Sequence, residues 1–136
     1  MLSGTARASI TDVIARHYKD LVCWQLSVEV KKKVYAITAR PSVAKDFKFC
    51  QQIRESARSA PRNIAEGFGR YRPAEFAHFL EIARGSLEET HNHTNDGLDL
   101  GYIDVNECAP VCRLVDRAAK ATVKLILYLK GRGRNH

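Results

Sequence analysis

The feature that most limits what this chain can fold into is a proline set inside a helical run, Ser59-Ala-Pro-Arg-Asn-Ile-Ala-Glu-Gly-Phe-Gly-Arg70. Cys50, Ile53, Ala57, Ala60 and Ile64 recur at three- and four-residue steps, which predicts one helical face from about Asp46 to Glu66. Pro61 removes a backbone donor from that helix and predicts a kink or a restart. Gly67 and Gly69 are expected to end it with a left-handed cap. Asn63 and Glu66, beside the break, are expected to hydrogen-bond between helices or subunits. The run contains no metal motif, nucleophile or phosphate loop, so it constrains shape before chemistry.

Three more helices follow from periodicity at 100° per residue. The first, about 21–39, carries two apolar stripes. Cys23, Leu26, Val30, Val34 and Ile37 form one; Leu21, Trp24, Val28 and Tyr35 form the other. A monomer's surface helix needs only one such stripe, so the second is expected to meet another surface. The third helix, about 73–100, opens at Pro73, with Glu75 placed for a capping box that Arg72 cannot complete. Its core face reads Phe76, Phe79, Leu80, Ala83, Leu87, Thr90, Thr94 and Leu98, and the two threonines should bond their own helix or a neighbour. Gly101-Tyr102 ends it and Asp104 caps the fourth, about 105–130. There Val111, Leu114, Val115, Ala118, Thr122, Leu125, Ile126 and Leu129 make the core stripe. Cys112, Ala119, Val123 and Leu127 widen it beyond what a monomer needs.

Four segments together resemble a known family: Tyr18-Lys-Asp-Leu-Val-Cys-Trp-Gln25, Ala60-Pro-Arg-Asn-Ile-Ala-Glu-Gly67, Glu75-Phe-Ala-His-Phe-Leu-Glu-Ile-Ala-Arg-Gly-Ser-Leu-Glu-Glu89 and Leu100-Gly-Tyr-Ile103. They resemble the bacterial bundle proteins encoded within intervening sequences of 23S ribosomal RNA genes, and accessory proteins of diversity-generating retroelements look like relatives. The resemblance runs from about Tyr18 to Leu129. It implies an all-α, antiparallel up-and-down four-helix bundle that assembles with itself as a homopentameric ring. It brings no catalytic residues and no cofactor. The family often has serine where this chain has Arg72.

One domain is expected: a bundle over 18–130, preceded by an extension at 1–17 with a short pattern (Ile10, Val13, Ile14, His17) and followed by a basic, mobile tail at 131–136. Apolar runs are only a few residues long, so no membrane span is expected. No secretory signal is recognisable at Met1-Leu-Ser-Gly-Thr-Ala-Arg7, which predicts a cytoplasmic location. Reduced thiols follow for Cys23, Cys50, Cys108 and Cys112. Cys108 and Cys112 share a helical face, but His91 and His93 point about 200° apart. Core packing is therefore the reading for the cysteines, with no metal.

Charge is segregated. Residues 1–72 hold 14 Lys/Arg against 6 Asp/Glu, residues 73–103 hold 1 against 6, and residues 104–136 hold 7 against 3, giving the net +7. Arg113, Arg117, Lys120 and Lys124 lie within a 60° arc opposite the fourth helix's core, where a cationic stripe can neutralise phosphates. Arg54, Arg58 and Arg62 line one side of the second helix, and Arg72 stands at the start of the third. These eight are the nucleic-acid candidates, with RNA favoured and little sequence preference. For Arg54–Arg62, packing or pairing with a neighbour's acidic helix is the competing reading, because Glu55 lies beside them. Tyr71 and Tyr102 could stack on bases. Trp24, Val28, Tyr35, Ala119, Val123 and Leu127 are the candidate oligomer surface. The competing function is an oligomeric scaffold for an acidic protein partner; no enzyme site is recognisable.

Overall fold

The computed structural model describes residues 14–70 and 72–134, and among them the chain is all-α with no strand. The outer residues of the 1–17 pattern, Tyr71 and the last two residues of the tail lie outside that range. A 3-10 turn (Tyr18–Asp20) leads into α1 (Val22–Thr38); then come α2 (Pro41–Ala44), α3 (Phe47–Phe68), α4 (Pro73–Asp99) and α5 (Val105–Arg134). The long helices form a bundle: α4 packs on α3 and α5, and α1 on the same two. Periodicity located all four to within a few residues. It missed α2, a single turn begun by Pro41, and it ended the last helix early, since α5 runs on through Gly131 to Arg134.

Pro61 does not restart α3 as two pieces; one helix runs from Phe47 to Phe68. Pro61 is buried, as are Ala57, Ala60 and Ile64 around it. Tertiary packing holds the segment helical despite the missing donor. The glycine expectation is also corrected. Gly69 has φ −73°, and the only positive φ among the described glycines is at Gly101, +77°. Gly67 serves packing instead: a Cβ there would lie 2.7 Å from the Phe79 Cβ. At Gly101 the left-handed turn is real. The Tyr102 amide donates to Gly97 O at 2.9 Å and the Gly101 amide to Leu98 O at 3.1 Å, a Schellman motif closing α4.

Small residues set the α3–α4 seam. Ser56, Ala57, Ala60 and Gly67 are buried on one helix, and Ala77, Ala83, Ser86 and Thr90 on the other. Their hydroxyls satisfy one another: Ser86 Oγ donates to Ser59 Oγ at 2.7 Å, and Thr90 Oγ1 contacts Ser56 Oγ at 2.9 Å and Ser86 O at 2.8 Å. Thr94 Oγ1 returns to Thr90 O at 2.7 Å. Asp104 and Glu107 form a reciprocal capping box at the start of α5, each accepting from the other's amide. Arg40 then ties that end to the α1–α2 junction by pairing with Glu107.

Candidate nucleic-acid interface

The α5 core stripe determines what its outer face presents. Val111, Leu114, Val115, Ala118, Thr122, Ile126 and Leu129 are buried, so Arg113, Arg117, Lys120 and Lys124 are turned to solvent, and all four are exposed. None of them makes an ion pair among the described residues. Four exposed cations on one helical face, with the single carboxylate of Asp116 beside them on the helix, attract polyanions.

The stripe is also a ridge between two grooves. On one side a cavity of about 820 Å³ separates the start of α1 from the second half of α5. Leu21, Leu26, Ala121, Leu125 and Tyr128 give it apolar walls, with Arg117, Lys120 and Lys124 on its rim. On the other side a cavity of about 400 Å³ lies between α4 and α5, with Ala119, Val123 and Leu127 in its wall. Lys120 and Lys124 border both. Val123 is 37% and Leu127 63% exposed, so two of the candidate oligomer residues are uncovered in the single chain.

The α3 arginines are placed differently. Arg54 lies over the Tyr35 ring, 4.7 Å from its centre, and its Nε donates to Thr38 Oγ1 at 2.7 Å. Arg58 donates to the Tyr35 hydroxyl at 3.3 Å and to Glu55 at 2.6 Å, while Arg62 reaches Glu55 at 3.4 Å. Hydrogen bonds from Arg58 and then Arg62 hold the Glu55 carboxyl below its usual range. Tyr35 thus holds Arg54 and Arg58 toward α1, while Arg58 and Arg62 share Glu55 at the surface, with side chains 42% and 61% exposed. Arg72 remains well exposed, 4.0 Å from Glu75, and gives α4 no side-chain cap.

The second stripe of α1 is partly covered from within, against the expectation that it needs another surface. Leu21 is buried, Tyr35 lies beneath Arg54, and the Trp24 ring meets Tyr18 edge-on at 5.3 Å. Trp24 and Val28 are left half-buried. Tyr102 is no free stacking platform: it packs edge-on against Phe49 at 5.0 Å and donates to Asp46. Asn63 and Glu66 find partners locally, Asn63 on Ser59 O at 2.8 Å and Glu66 on Arg70 at 3.0 Å, so within the subunit they do not make the bonds between helices expected of them. Sequence reasoning missed Lys31 and Tyr128 as groove residues. Lys31 stands seven residues after Trp24, a spacing that could have placed both on one face.

The cysteines behave as core. Burial pushes the Cys23 thiol up to about 11 and, with its Cys108 neighbour, the Cys112 thiol to about 11. Cys108 and Cys112 sulfurs lie 3.8 Å apart. Among the described residues no three His, Cys, Asp or Glu are grouped to hold a metal, and no helix is long and apolar enough to cross a membrane.

The family model described as 23S rRNA-intervening sequence protein matches residues 19–124. A crystal structure of a protein of unknown function from the S23 ribosomal protein family of Bacteroides thetaiotaomicron is similar in fold. It has a TM-score of 0.71 at 22% identity, covering 77% of this chain and 98% of that one. Among curated proteins none matches.

Proposed function

The chain belongs to the 23S rRNA-intervening sequence protein family, and from that premise we propose that it is a non-catalytic accessory protein that binds nucleic acid, RNA foremost, through a basic face and without strong sequence preference. The observation that carries this reading is the α5 stripe, four exposed cations with no carboxylate partner among the described residues. Long cations on a helix face meet phosphates and carry no base code.

The proposed subunit is an antiparallel up-and-down four-helix bundle, in the cytoplasm, assembling as a homopentameric ring; the family resemblance supplies the number five. The exposed Val123 and Leu127 support self-association. A ring multiplies one weak stripe into a stronger binding surface without new contacts.

Anisotropy of a labelled mixed-sequence RNA, measured across a salt series, tests the reading. Log affinity should fall with log salt by about 0.7 per phosphate contacted on a single strand. Arg117→Glu with Lys120→Glu should lower both affinity and slope at unchanged oligomer size. Salt-insensitive binding, or binding untouched by the double variant, would remove the stripe as the site. A scaffold for an acidic protein is the second reading, favoured by the apolar grooves on both sides of Lys120 and Lys124. Absence of RNA binding at low salt would support it.

A further inference from the structure

We propose that the groove between α1 and α3 receives an unpaired base of a single strand, stacked on Trp24, with its flanking phosphates held by Lys31, Arg58 and Arg62. This rests on the nucleic-acid reading above and names the form of strand that is bound. The cavity is about 310 Å³, at the small end of the roughly 300–1,000 Å³ common for ligand clefts. Trp24, Val28 and Lys31 line one wall at steps of four and three along α1. Arg58, Pro61 and Arg62 line the other along α3.

The groove combines two features that single-strand sites need: an aromatic face and a cationic border. Trp24 is half-buried, held edge-on by Tyr18, which in turn meets Phe68 edge-on at 6.5 Å. Tyr18 lines the same groove, and a ring held by a neighbouring ring is already partly ordered before a base arrives, so stacking costs less side-chain freedom. Three cations and no carboxylate line the cavity. Glu55 pairs with Arg58 and Arg62 from outside it and offsets one charge, leaving the groove positive. Lys31 has no ion pair among the described residues. Bases in a duplex are already stacked and paired, so a helix offers the groove only its backbone.

Trp24 is the chain's single tryptophan, so its emission reports on this groove alone. A single-stranded oligonucleotide should quench that emission, while an abasic strand of equal length and a duplex, each at a concentration where anisotropy shows it bound, should not. Arg62→Glu changes a side chain that is 61% exposed, so the fold should tolerate it. It should weaken single-strand binding about tenfold and lower the salt slope by about 0.7, as loss of one phosphate contact does, and leave the circular dichroism unchanged. Quenching by the abasic strand as strong as by the normal one would overturn the stacking. So would unchanged emission with bound RNA, or an unchanged Arg62→Glu affinity, and in those cases the α5 stripe would stand without the groove. If no strand binds at all, both readings fall together.

Discussion

Gly67 and Phe79 face each other across the α3–α4 seam so closely that a single added carbon does not fit: a Cβ on Gly67 would come within 2.7 Å of the Phe79 Cβ and 2.9 Å of Phe76 Cδ1. The Phe79 Cβ is fixed to the backbone, so it cannot rotate away as a side-chain tip would. Gly67→Ala should therefore push the helices apart, although alanine is the better helix former. The expected loss is about 1–3 kcal/mol, read by denaturant unfolding. A neutral or stabilising effect would show that helix propensity outweighs the contact.

The hydroxyl pair Ser56–Thr90 makes a sharper prediction as a cycle. Thr90→Val keeps the shape and removes the 2.9 Å bond, but Ser56 retains Ile53 O at 3.0 Å. The single change should cost about 0.5–1.5 kcal/mol. Adding Ser56→Ala should then cost little more, because no donor is left stranded. Fully additive losses would mean that the two hydroxyls act separately.

Acid should weaken the end of the bundle where Asp46 meets Tyr102. The tyrosine hydroxyl first, then the Phe49 amide, hold the Asp46 carboxyl below its usual range. A depressed folded value gives a contribution complete above the unfolded value of about 3.9 and lost as pH falls through the folded one. Tyr102→Phe should flatten the acid limb of a plot of Tm against pH. An unchanged limb would assign the acid loss to other carboxylates.

Leu127 should report on self-assembly. It is 63% exposed on the α5 flank, so Leu127→Glu should leave the helical content of the subunit intact. If this flank is the contact, sedimentation should show a smaller particle than the parent protein. A parent that sediments as a monomer at micromolar concentration would remove the proposed ring.

Thiol chemistry should follow burial. With Cys112 raised to about 11, little thiolate exists at neutral pH, and the thiolate is the reactive form. A disulfide reagent should label the native protein slowly and all four cysteines rapidly once it is unfolded. Fast labelling of the native state would show a seam that opens.

The four long helices were legible in the sequence because their signal is local: apolar residues at steps of three and four bury one face whatever lies opposite. The outward course of the α5 stripe followed from the same angle of 100° per residue. The resemblance to the family, carried by four ordered segments, was likewise readable from residues alone. What needed the tertiary structure was every property that depends on a second helix. Pro61 stays helical because burial holds it, and Gly67 is required by Phe79, a residue of the next helix. Arg54 and Arg58 are engaged because Tyr35 arrives from α1, whereas no described carboxylate pairs with Arg117 or Lys120. Periodicity says which way a side chain leaves its own helix, but only packing says what meets it there.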